Sequence, residues 1–359
     1  MNSKIIYILV ALGFLCSFFC SQYTEAAQSR IAVVHSYHAS FGWVQEVNRG
    51  ITAFLDGKEL FNRKPKGLMQ RSVFDYYYMD GKNHQTDRAF LAEEGRGIIV
   101  KLKSNQPDLV IICDDEALEF VAKPLMNDNR FKFVFLGVNN DPRSYGITKT
   151  LEHPDKNMTG LISEHPFYYS IKLLQQIVGK FDRIHVLFDD STSGKGIMKD
   201  LKRSLARLEP DALKKEQLHF VISNDWNLWK KIILSNQSPG NIFVFGTFYT
   251  LKNDKGTTLT TQELADWITK RSKVPELTIL SSHISEGFLV SISNPGFVHG
   301  YEALAMGESV LEGKKISDIP IYAPGEKALH VNPHRAKQLG LKIPLEILTM
   351  AKQFERFGY

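Results

Sequence analysis

Leu109-Val110-Ile111-Ile112-Cys113, which runs straight into Asp114-Asp115-Glu116-Ala117-Leu118-Glu119-Phe120, decides the fold class. Five apolar residues without a polar break read as a strand buried on both faces. The acidic residues after them suit the first turn of a helix, where they meet free N–H groups and the positive end of the helix dipole. Strand-length apolar runs leading into helical spacing recur nearly from end to end, the signature of parallel sheets with crossover helices. Ile31–His35, Val73–Tyr78, Leu109–Cys113 and Phe133–Leu136 are expected to make one sheet. Gly160–Ser163, Ile184–Phe188, His219–Ile222, Ile242–Phe245 and Leu277–Leu280 are expected to make a second. The fold class is therefore α/β, with two Rossmann-like lobes of parallel sheet and flanking helices. Residues 137–157, rich in Asn, Asp, Pro and Gly and without periodicity, read as the connection between lobes.

Ligands of open parallel sheets bind beyond the carboxyl ends of the strands, so two facing lobes leave a crevice lined by the residues just after each strand. From the first lobe these residues include Ser36, Tyr37, Trp43, Asp114, Asp115, Glu116 and Asn139; from the second, Glu164, His165, Ser191, Thr192, Thr247, Phe248 and His283. The set is polar with interspersed aromatics, which fits a polar ligand carrying a flat or apolar part. Asp114, Asp115 and Glu116 can hold a ligand ammonium or cap their own helix. Ser191 and Thr192 open a helix whose free N–H groups can take a carboxylate, and the rival reading is again a plain cap.

Lys4 precedes an apolar run from Ile5 to Phe19 that leads to Thr24-Glu25-Ala26-Ala27, the pattern of a secretory signal peptide over residues 1–26. The run, about 15 residues, is short of the roughly 20 needed to span a bilayer. Of the 3 cysteines only Cys113 lies beyond it, so no internal disulfide is expected. The formal charge of +5 is mild and its lysines and arginines are spread along the chain, which argues against nucleic acid as a partner.

Catalytic and metal motifs mostly fail. Ser193-Gly194-Lys195-Gly196 resembles a phosphate loop, but Asp189 stands where Gly is required and Gly196 where Ser or Thr is required. His35 and His38 make a pair without partners at metal-ligand spacing. No Gly-x-Ser-x-Gly elbow occurs, and Cys113 closes an apolar strand. Neither a catalytic residue nor a cofactor nor a metal is assigned.

The ordered pieces Val34-His35-Ser36-Tyr37-His38 with Trp43, Tyr78-Met79-Asp80-Gly81-Lys82, Pro107-Asp108-Leu109 with Asp114-Asp115-Glu116-Ala117, and Phe135-Leu136-Gly137-Val138-Asn139 have a familiar sequence. With Gly307-Glu308-Ser309-Val310-Leu311-Glu312-Gly313 and Leu339-Gly340, they resemble the bacterial ABC-transporter substrate-binding family that includes tryptophan- and tyrosine-binding members. The ligand-sensing domains of some sensor histidine kinases are related, and Asp114-Asp115-Glu116 looks more like that branch. The resemblance implies a type I periplasmic-binding-protein fold. Its lobes would be 27–140 with a returning segment around 284–325, and 141–283 with part of the tail 326–359. It implies a periplasmic, non-enzymatic, monomeric protein that closes over a small molecule for an ABC permease. The alternatives are a stand-alone sensor partnering a membrane histidine kinase, and an exported α/β enzyme.

Overall fold

A computed structural model describes residues 28–84, 87–206 and 217–353; the signal peptide expected at 1–26 lies outside them. The first sheet holds β1 (Arg30–His35), β2 (Val73–Tyr78), β3 (Leu109–Cys113), β4 (Phe133–Val138) and β5 (Met158–Ile162), in the order β2-β1-β3-β4-β5. All its pairings are parallel. Alternate residues of β1 serve opposite faces, as the pleat requires. Ile31 and Val33 pack with Val47, Ile51 and Phe54 of α1 (Gly42–Leu55). Ala32 and Val34 pack with Leu91, Ile98 and Leu102 of α2 (Arg88–Asn105). Burying one such branched side chain contributes about 1.5–3 kcal/mol, so β1 and β3, closed to water almost throughout, anchor this lobe.

The second sheet has 7 strands in the order β12-β11-β10-β9-β8-β6-β7. Its members are β6 (Arg183–Phe188), β7 (Leu218–Ile222), β8 (Asn241–Phe245), β9 (Glu276–Thr278), β10 (Val290–Ser293), β11 (Ala328–Val331) and β12 (Lys352–Gln353), with β10 and β11 antiparallel. One face packs on α3 (Phe167–Val178) and α4 (Thr192–Ala206), the other on α5 (Trp226–Ser235) and α6 (Thr261–Arg271).

Two expectations are corrected. Met158–Ile162 does not open the second sheet; it pairs with β4 as the fifth strand of the first. Residues 137–157 are thus a loop within the first lobe, held by its own polar groups: Asn157 Nδ2 donates to the carbonyls of Leu125, Asp128 and Phe131 at 2.9, 3.0 and 3.1 Å. The return to the first lobe begins later than residue 284, because β10 stays in the second sheet. The chain therefore crosses between β5 and α3, between β10 and the next helix, α7 (Gly296–Leu311), and between Tyr322 and β11. Helix α7 crosses α1 where both offer glycine. A Cβ on Gly50 would lie 1.9 Å from the Phe297 carbonyl oxygen, and one on Gly300 would lie 2.1 Å from that of Val47. Only bare backbone permits that approach.

Candidate functional site

The strand ends of the two sheets face a cavity of about 510 Å³, its mouth included. Six of the residues expected there line it: Tyr37, Trp43, Asp114 and Asn139 from the first lobe, His165 and Thr247 from the second side. The lobes touch across it. The Tyr37 hydroxyl is 3.2 Å from Ser193 Oγ, and the Phe41 ring meets that of Tyr249 edge-on at 5.1 Å. This is a closed arrangement.

Asp114 begins the short helical turn after β3 with φ 72°, and its carboxyl sits in the cavity wall. Gly137, itself at φ 70°, makes room: a Cβ there would stand 2.7 Å from Asp114 Oδ1. Asp114 Oδ2 has no hydrogen-bond partner, and the indole N–H of Trp43 leans toward the carboxyl without completing a bond. Burial pushes this carboxyl well above the usual range, the nearby Glu116 adds to the push, and Lys82 opposes it. Glu116, likewise buried with both oxygens unpartnered, is raised to about 7 by burial against the pull of Lys82. The Asn294 amide, also in the wall, has neither its nitrogen nor its oxygen paired. His165 holds Asn139 Oδ1 at 3.1 Å, and burial lowers its pKa to about 4, so it is neutral.

Lys82 was missed by reading strand ends, because it lies on the loop after edge strand β2 and marks itself in sequence only as part of Tyr78–Lys82. It is buried, and its ammonium rests on three rings: Tyr37 at 4.1 Å, Tyr249 at 4.8 Å and Phe41 at 5.3 Å from the centroids. Cation–π contact of this kind offsets part of the cost of desolvating the amine. Ser193 and Tyr249 were missed by one or two positions, each lying beside a residue that the strand-end rule did select.

The other expected residues serve the frame. Ser36 Oγ donates to the Cys113 carbonyl at 2.7 Å and accepts from Ala117 N at 2.8 Å, which caps the turn holding Asp114. Asp115 accepts from the backbone N–H groups of Asn139 and Asn140, from both their side-chain amides, and from the Tyr145 hydroxyl at 2.7 Å. It fixes the β4 loop and has no capacity left for a ligand. Ser191 Oγ donates to Asp189 Oδ1 at 2.6 Å and accepts from Gly194 N at 3.0 Å, so capping wins there too. Thr192 begins α4 outside the lining, and Glu164 pairs with Lys327 at 3.0 Å. Phe248 and His283 stack at 4.2 Å behind the wall, where His283 Nε2 lies 3.3 Å from the Tyr249 hydroxyl.

His165 is backed by an amide and not by an acid. The buried Cys113 thiol is pushed well up by burial and by Asp114, which keeps it protonated and unreactive. Among the described residues no group of three or more His, Cys, Asp or Glu could hold a metal ion, and no helix is long and apolar enough to cross a membrane.

The family model described as ABC transporter substrate binding protein matches residues 65–355. A tyrosine-binding protein of Clostridioides difficile (strain R20291) is 21% identical over 307 residues, 83% of this chain and 82% of that one. Two solved structures share the fold at 18% identity, each covering 91% of this chain and 99% of the other. One is an ABC domain from Streptococcus pneumonia in complex with L-Trp, TM-score 0.69. The other is the ligand-free, open structure of a substrate-binding protein with adhesive properties from Clostridium difficile, TM-score 0.65.

Proposed function

Because this chain belongs to the ABC transporter substrate-binding protein family, we propose that it captures one small, amine-bearing or amino-acid-like solute by closure of its two lobes and presents it to an ABC permease. The observation that carries this reading is the set of buried polar atoms left without partners on the wall of one interlobe cavity: Asp114 Oδ2, and the nitrogen and oxygen of Asn294. A buried polar group left unsatisfied costs about 1–3 kcal/mol, and a ligand that meets these atoms recovers that cost. Tyr37, Phe41, Trp43 and Tyr249 supply flat apolar surface for the rest of the solute. The tyrosine and tryptophan in the descriptions of two relatives support a ligand of this size. The lysine-led apolar run Ile5–Phe19 supports export, with the protein acting as a periplasmic monomer that binds and does not catalyse.

The test is a thermal-shift screen of amino acids, amines, nucleosides and small carboxylates, followed by calorimetry on the best probe. A ligand at about 100 times its Kd adds about 2.7 kcal/mol of stability. Affinity that survives Trp43→Ala and Asn294→Ala undiminished would place the solute elsewhere and overturn the reading.

A further inference from the structure

The cleft is unevenly charged, and its imbalance specifies more than an amine. Two nearby carboxylates are already answered by neutral donors. Asp115 has the contacts named above, and Asp189 accepts from Ser191 Oγ, Thr247 Oγ1, Tyr249 N and Thr250 N at 2.6, 2.6, 2.8 and 3.2 Å. Lys327, at the cleft edge, is answered by Glu164. Beside the Glu286 carboxyl, which acts on Tyr249, there remain Lys82, Asp114 and Glu116, all buried, and Asp114 Oδ2 and both Glu116 oxygens lack hydrogen-bond partners. Lys82 can balance only one of these two carboxyls. Its ammonium is fixed at the aromatic end of the cavity, on Tyr37, Phe41 and Tyr249. Asp114 stands beside Trp43 and Gly137, with Oδ2 free.

Resting on the reading of the cleft as a solute site, we infer that Lys82 and Asp114 set the charge of the ligand: the cleft takes a solute of net charge +1, an amine whose ammonium meets Asp114, in preference to the zwitterionic amino acid with the same side chain. Buried charges persist only when paired: burial disfavours the ionised form of Asp114 in the empty cleft, and an arriving ammonium is the second cation that lets it ionise beside Glu116. A zwitterion brings a carboxylate with it, so ionising Asp114 to meet its ammonium leaves the cluster one negative charge in excess. It also sets that carboxylate among Asp114, Asp115, Glu116 and Asp189, with Lys82 already committed to its rings. Asp114→Asn is a clean probe, because Asn tolerates the positive φ of this position as Asp does.

Calorimetry should compare tyramine with L-tyrosine, tryptamine with L-tryptophan, phenethylamine with L-phenylalanine, and isobutylamine with L-valine. The amine of the best pair should bind about tenfold or more tightly than its amino acid, one tenfold step being about 1.4 kcal/mol. Asp114→Asn should weaken the amine about thirtyfold or more and the amino acid far less, erasing the preference. Lys82→Met should strengthen the amine. An amino acid that binds as tightly as its amine, or a preference that survives Asp114→Asn, overturns the charge assignment and leaves the solute site standing. If none of these probes binds at millimolar concentration, the charge assignment fails; nucleosides and carboxylates that also leave the melting temperature unmoved take the solute site with it.

Discussion

Arg335 forks onto Glu276: Nε lies 2.7 Å from Oε1 and Nη2 lies 3.2 Å from Oε2, with 3% and 0% of the two side chains exposed. The arginine also donates to the carbonyls of Thr269 and Ser272. The pair joins the C-terminal segment to β9, so the tail is part of the second lobe and not an appendage.

Removing one partner of a buried pair strands the other, at a cost of about 3–5 kcal/mol. Arg335→Met should lose that much in urea denaturation, and Arg335→Met with Glu276→Leu should regain most of it. Deleting residues 321–359 removes Arg335 together with β11 and β12, and should destabilise the protein further. A single mutant within about 1 kcal/mol of wild type would show that the pair is not what holds the tail.

Asp115 and Thr192 separate framework from surface. Asp115→Ala strands two backbone N–H groups and two side-chain amides of the β4 loop, and should cost about 3 kcal/mol of stability. It should also weaken ligand binding through Asn139. Thr192→Ala should stay within about 0.5 kcal/mol and leave affinity unchanged. Denaturant midpoints and calorimetry on both variants decide this, and equal effects would refute the distinction.

How much of this was legible in sequence depends on the information each signal can carry. The period-2 faces of β1 and the unbroken apolar run of β3 reveal themselves, because burial on both sides leaves no polar residue to confuse the pattern. Strand β5 was legible as a strand over Gly160–Ser163 but was put in the wrong sheet, because the Asn- and Asp-rich stretch before it has the composition of a linker, although Asn157 ties that stretch to the carbonyls of Leu125, Asp128 and Phe131 and Asp115 holds Asn139 and Asn140. Strand ends pointed to Asp114, Tyr37 and Thr247. They could not say that Asp115 faces inward to Asn139 and Asn140, since adjacent residues of one composition share every local signal. Lys82 needed the fold: only tertiary structure brings three rings from two lobes around one ammonium.

The contacts of Tyr37 with Ser193 and of Phe41 with Tyr249 span the lobes, and three crossing segments are positioned to act as the hinge. Solution scattering should give a smaller radius of gyration with the tightest ligand of the thermal-shift screen than without it. An unchanged radius at saturation would argue that the free protein is already closed.

Stability against acid is set by groups that oppose one another. Burial holds His35 and His165 at about 4, and His283 and His299 at about 3, against an ordinary 6.5. The unfolded chain therefore binds these protons first, and each histidine contributes stability that is present above pH 6.5 and lost as pH falls toward its folded value. Buried carboxyls act in the other direction. Glu116 and Glu286 are raised to about 7 by burial, so below that pH the folded state holds their protons while the unfolded chain, near 4, does not, and burial shifts Asp114 in the same direction. Between pH 6.5 and about 4.5 the carboxyls offset part of what the histidines lose, each group being worth up to about 1.4 kcal/mol per pH unit. Below pH 4.5 the raised carboxyls are protonated in both states and no longer offset the histidines, while Asp128, Asp141 and Glu263, held below the usual range by Arg130, Arg143 and the Thr260 hydrogen bonds, lose stability in the same direction as the histidines. The urea midpoint should decline gently from pH 6.5 to about 4.5 and fall more steeply below it. Glu116→Gln removes part of that offset and should steepen the decline between pH 6.5 and about 4.5. A wild-type curve that falls as steeply above pH 4.5 as below it would mean that the cleft carboxyls are not protonated in the free protein.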